Sequence, residues 1–237
     1  MTEERVKPGG VLGRGALELL VIIVGVLIAL SVDQWSVRVS ERAVEAAYLL
    51  ALGDDITRSV EDLDSVMSQT AHWLQAAETL SKMTTDSPPP ADSLTKLIGE
   101  ALFALTAYDN RLTTHTELKA TGRVGLFSDR AIRRHVSEID GLLDAIRFQE
   151  RDLIGAQHST FDGFLVERTD LAAVAKAGWP AAAQYIGEGS GLDHGDLLTD
   201  REFRGVVALR IVILSETLLR YGDLRRHLLE LQALIFD

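Results

Sequence analysis

Six histidines, at positions 72, 115, 135, 158, 194 and 227, are the side chains of this 237-residue chain best suited to moving a proton or holding a metal near neutral pH. None stands in a His-x-x-x-His or His-Glu-x-x-His pair, the spacings that put two ligands on one helical face, so the sequence carries no zinc-enzyme signature. The densest group of donors is Asp193, His194, Asp196 and Asp200, in a glycine-rich stretch. A calcium ion needs six or more oxygens and the EF-hand spacing is absent, so this run reads as a solvated loop. Thr113, Thr114, His115, Thr116 and Glu117 bring hydroxyls, an imidazole and a carboxylate close together. Helix capping, with Thr114 and Glu117 as a capping box, accounts for the same residues more simply than general-base chemistry. Gly-Glu-Gly-Ser-Gly at 187–191 lacks the Lys-Ser/Thr of a phosphate-binding loop, and with no cysteine there is no thiolate nucleophile or ligand. Arg130, Arg133, Arg134 and His135 form a short basic run that reads as surface ion pairs on a helix. The expectation is therefore a protein with no catalytic residue, no cofactor and no metal site, hence not an enzyme.

The elements that would carry these residues begin with an apolar run. From Ala16 to Val32 twelve residues are Leu, Ile or Val and only Glu18 ionises. At 1.5 Å per residue such a helix, extended slightly at its start, reaches across the roughly 30 Å of a hydrocarbon core. Twelve such side chains contribute roughly −4 to −7 kcal/mol to insertion, and Glu18 lies near one end, where its cost is smaller. Lys7 and Arg14 precede the run, which favours a cytoplasmic N-terminus and an external domain. The expected division is a short cytoplasmic tail over 1–15, a transmembrane helix over 16–35 and an α-helical, periplasmic domain over 36–237. Trp35 would lie at the membrane interface, and Gly25 with Ala29 would form a small-xxx-small face for another helix. Residues 1–32 carry three acidic and three basic groups, so the net charge of −11 belongs to the rest of the chain. Nucleic-acid phosphates repel such a surface.

Beyond Trp35 the periodicity predicts an all-α fold, an antiparallel helical bundle. Apolar positions step by three and four from Val44 to Ala77, giving one long helix. Thr84 to Ser93 holds three consecutive prolines and reads as a turn. Asp92 or Ser93 caps a helix to about Tyr108 with Leu94, Ile98, Leu102 and Leu105 inward, and Gly122 ends a shorter helix. Ser128 or Asp129 opens a long helix that continues, kinked near Gly155 or Gly163, to about Ala177. Residues 178–198, with Pro180 and five glycines, read as loop apart from a turn over 181–185. Thr199 or Asp200 opens a final core helix to about Ile235, where Arg210 interrupts VVALRIVIL and argues against a second span.

The segments LELLVIIVGVLIALSVDQW, YLLALGDDITRSVEDLD and THTELKATGRVGLFSDRAIRRHVSEID together resemble an uncharacterised family of bacterial single-pass membrane proteins, a domain of unknown function. They cover under half of the chain, and Asp33-Gln34-Trp35 at the end of the anchor is the most distinctive part. The resemblance implies an N-terminal span and a helical extramembrane domain. It brings no activity, cofactor or catalytic residue.

A span without a catalytic constellation leads to the expectation of a non-enzymatic accessory or scaffolding subunit of a larger inner-membrane complex, respiratory and photosynthetic assemblies being the base-rate choice. Its partners would be other membrane subunits and the lipid bilayer, with a homo-oligomer compatible and no nucleic acid. The alternative is a membrane-tethered, sensor-like helical bundle that binds a small ligand between its helices.

Overall fold

The computed structural model describes residues 9–84 and 89–236, with the side chains of 9–19, 21, 22 and 29 outside the description. Residues 1–8 of the expected tail, 85–88 of the proline turn and the Ala29 side chain thus lie outside the described residues. What is described is helix and connection, with no strand among the described residues. The chain divides into two units, residues 1–50 and 51–237.

Helix α1 (Gly9–Lys82) contributes to both units, and among the described residues it is the one helix long and apolar enough to cross a membrane. In the first unit the side chains of Leu20, Ile23, Val24, Val26, Leu27, Ile28, Leu30 and Val32 are all exposed. Trp35 is 67% exposed, and a Cβ added at Gly25 would meet nothing within 4 Å. Ser31 donates its hydroxyl to the Leu27 carbonyl at 2.7 Å, so the polar atom in this run is satisfied within the helix itself.

The second unit is built on three long helices: residues 51–82 of α1, α4 (Arg130–Ala156) and α7 (Arg201–Phe236). Hydrogen bonds from Gln232 to Thr57 and from Arg225 to Asp64 run α7 antiparallel to α1. Contacts of His227 with His135 and of Gln149 with Ile213 run it antiparallel to α4. Leu52, Ile56 and Leu63 of α1, Val136, Ile139 and Leu143 of α4, and Leu224, Leu228 and Leu231 of α7 are buried, each worth about 1.5–3 kcal/mol in removed apolar surface.

Two starts match their sequence signals. Asp129 accepts the amides of Ala131 and Ile132 at the head of α4, and Asp200 accepts those of Glu202 and Phe203 at the head of α7. Gly122, at φ 67°, follows α3 (Thr113–Ala120) in the left-handed conformation that an L side chain resists.

Elsewhere the path differs from the periodic reading. Helix α2 (Ala91–Ile98) passes into a π turn over Gly99–Phe103 and then runs extended, so the helix stops short of Tyr108 and leaves Leu105 40% exposed. The stretch after α4 is not one kinked helix. A π turn (Gln157–Phe161), α5 (Asp162–Arg168), a break at Thr169 and α6 (Leu171–Gly178) follow in turn. The π turns bring Leu102 and Phe161 into one cluster with Ala77, Leu80, Phe203 and Leu214. A Cβ on Gly99 would sit 2.5 Å from the Val174 carbonyl oxygen and 2.7 Å from the Gly178 nitrogen, so α6 crosses this segment backbone to backbone.

Candidate functional site

Arg210 is fully buried in the middle of α7. Its Nε donates to the Ala101 carbonyl at 2.8 Å, Nη2 to that of Ala104 and Nη1 to Gln157 Oε1 at 3.3 Å. The guanidinium lies 5.2 Å from the centre of the Phe161 ring. These carbonyls end the α2 segment, where the backbone dipole is negative, so a helix terminus takes the place of a carboxylate partner. Burial lowers the Arg210 pKa to about 10, which still leaves it charged at neutral pH. Gln157 passes the connection outward: its Nε2 donates to the Leu102 carbonyl at 3.1 Å and to Asp162 Oδ1 at 2.8 Å. Asp162 Oδ2 in turn lies 2.9 Å from His158 Nδ1.

Gln69, Gln157, His158 and Asp162 form the polar part of a cleft of about 720 Å³. The rest is mainly apolar: Trp73, Phe103, Leu105, Leu165, Val166, Leu171 and Trp179. Trp179 is 61% exposed and Val166 62%. Both π turns line this cleft, which fits the tendency of such turns to occur where a helix is re-aimed toward a site. The volume is that of a pocket for a drug-sized molecule. Among the described residues, its ionisable lining groups are His158 and Asp162, with no lysine or arginine.

The donor group in the glycine-rich stretch does not assemble. His194 is buried: its Nε2 accepts the Asp170 amide at 3.0 Å, which leaves Nδ1 to donate to Thr95 Oγ1 at 2.8 Å. Asp193 accepts its own loop's Gly195 amide, and Asp200 caps α7 while pairing with Arg168. Asp170, not singled out in the sequence, ties this loop down by accepting Ser190 Oγ and the amides of Gly191 and Ala173. Burial raises the Asp170 pKa, but these hydrogen bonds outweigh it and hold the carboxyl below its ordinary value.

Thr113 and Thr114 do not cap α3. Thr113 is its first residue, and the cap comes from Asp55 on α1, whose Oδ2 accepts the Thr114 amide at 2.6 Å and the Thr113 hydroxyl at 2.9 Å. Burial would raise the Asp55 pKa, yet these bonds and Arg58 bring it down. His115 is buried with Nε2 3.2 Å from the Val136 carbonyl. It has no general-base geometry with the surrounding threonines. In the basic run Arg133 donates to the carbonyls of Phe127 and Ser128, and His135 is buried.

No family model matches the chain, and neither does any curated protein or solved structure. Gly25 and Trp35 lie in the exposed part of α1, while Ala29 belongs to the same helix by its backbone. The cleft and its polar line from Arg210 to His158 lie beyond what the sequence singled out. Their signal was an arginine inside an apolar helical run, which needs acceptors wherever the run is buried.

Proposed function

We propose that the chain is a non-enzymatic, membrane-anchored helical bundle whose extramembrane domain binds a small amphiphilic molecule in the cleft between Trp73 and Trp179. The observation that carries this reading is the cleft itself, apolar along most of its wall and polar at Gln69, Gln157, His158 and Asp162. Such a site takes an apolar body with a neutral or cationic hydrogen-bond-donating end, since Asp162 accepts and the described lining residues include no lysine or arginine for an anion. The exposed apolar side chains of Leu20, Ile23, Val24, Val26, Leu27, Ile28, Leu30 and Val32 support a membrane anchor. Lys7 and Arg14 before the run support a bacterial cytoplasmic membrane with the N-terminus inside and the acidic domain in the periplasm.

The test is protein purified gently from its native membrane and extracted with organic solvent. One amphiphile per chain in wild type, and its loss from Val166→Arg, is the expected result. Equal small-molecule content in both removes the reading. A reporter fused at the C-terminus and active in the cytoplasm removes the orientation.

A second reading, a subunit of a larger inner-membrane complex or a homo-oligomer joined through Gly25 and Ala29, is favoured by the open space around Gly25. It requires that Gly25→Ile break an assembly seen after mild solubilisation, and a chain that migrates alone contradicts it.

A further inference from the structure

α4 and α7 each carry a His-x-x-Glu spacing, His135 with Glu138 and His227 with Glu230, which places histidine and carboxylate one turn apart on one helical face. Antiparallel packing brings the two histidines together although they are 92 residues apart, with ring centres 4.6 Å from one another. One ligand atom each from His135, Glu138 and His227 lies within 4.8 Å of the other two. His135 is 8% exposed, and its Nδ1 is buried with no hydrogen-bond partner. His227 Nε2 lies 2.9 Å from the backbone carbonyl of His135. A carbonyl only accepts, so Nε2 carries a proton, and in the neutral ring Nδ1 keeps its lone pair, which faces Glu138 Oε2 at 3.9 Å. Two electron-rich atoms facing each other beside an unpartnered imidazole nitrogen is an arrangement that a cation completes. A ring N–H donated to a backbone carbonyl is also how ligating histidines are held in one tautomer.

We infer that His135, Glu138 and His227 form a binding site for a divalent transition metal of the zinc class. Two imidazoles and one carboxylate suit Zn²⁺ and its neighbours in preference to Mg²⁺ or Ca²⁺, which take oxygen. At metal–nitrogen distances of about 2.0–2.1 Å, tetrahedral donors stand about 3.4 Å apart. The half-exposed Glu138 side chain is free to turn toward the imidazoles, and small rotations of the two rings bring their nitrogens, now within 4.8 Å, to that spacing. Three protein ligands leave a fourth position for water or a further donor. The bound ion clamps α4 to α7, away from the cleft residues.

The test uses the full chain, stripped with a chelator and titrated with Zn²⁺ by calorimetry and with Co²⁺ by visible absorption. One equivalent binds, with the ligand-field bands of a nitrogen-containing four- or five-coordinate Co²⁺. His227→Gln and the surface variant Glu138→Gln each weaken binding at least about tenfold, whereas His72→Gln, at an exposed helix position, leaves it unchanged. Glu138→Gln keeps the test valid if His227→Gln disturbs packing. Absence of saturable binding, or equal affinity in wild type and Glu138→Gln, overturns the inference.

Discussion

Arg210 Nε stands 2.8 Å from the carbonyl oxygen of Ala101, inside the π turn that ends α2. A buried cation thus closes the end of one short helix, and through Gln157 it reaches the second π turn. Both π turns that line the cleft thus bond to this one side chain. Arg210→Leu leaves the acceptors of Ala101, Ala104 and Gln157 without a donor, and a loss on the order of 3 kcal/mol is expected. Urea unfolding of the full chain in detergent, read by helical circular dichroism, checks it. A midpoint unchanged from wild type would refute the role.

The crossing of α6 over the π turn makes a second, purely steric prediction. A methyl group at Gly99 meets backbone atoms of Val174 and Gly178 that cannot step aside. Gly99→Ala is expected to cost about 1–3 kcal/mol, while Gly25→Ala, in open space, costs the domain nothing. Paired thermal melts decide between this and a flexible crossing, in which both variants melt with wild type.

Stability should also depend on pH in two stages. Burial lowers the pKa of His115 and of His194, the latter despite nearby Asp170 and Asp193. A depressed folded-state pKa means that the unfolded chain binds the proton first. Their contribution is therefore complete above the ordinary histidine value of about 6.5 and is lost as pH falls through the lower folded values. Asp55 and Asp170, also depressed, contribute fully above about 3.9 and are lost below it. Unfolding midpoints between pH 8 and pH 3 should fall first below about 6.5 and again below about 4. A flat profile from pH 7 to pH 5 would contradict the histidine stage.

Asp55 gives a local check. Its carboxylate replaces the missing side-chain cap of α3, so Asp55→Ala should cost about 1–2 kcal/mol, in the range for a lost helix cap. Faster amide exchange at Thr114 than in wild type would accompany it, and unaltered exchange there would argue against a capping role.

How much of this was legible follows the range of each interaction. The caps at Asp129 and Asp200 and the stop at Gly122 are local signals, set within a few residues, and helices begin or end at them, while the apolar run at 16–32 lies inside the longer α1. The cap that Asp55 gives α3 joins residues 59 apart in sequence, so the adjacent threonines drew the reading instead. The apolar period around Leu102 and Leu105 cannot reveal a π turn, because one extra residue per turn shifts the inward face only after it has occurred. His135 and His227 defeat a search for local ligand pairs for the same reason. The repeated His-x-x-Glu spacing was the signal available, and it acquires meaning only once α4 and α7 are known to lie side by side.

The cleft is the central claim, and the chain's own tryptophans can report on it. There are three, and with Trp35→Phe the remaining pair, Trp73 and Trp179, both line the cleft. The measurement is quenching of this variant by a fatty amide brominated in mid-chain, with the protein held in unlabelled lipid nanodiscs. The account predicts saturable quenching at one amide per chain, abolished when Val166→Arg is added. Quenching that rises linearly without saturation, and to the same extent with and without Val166→Arg, would contradict it.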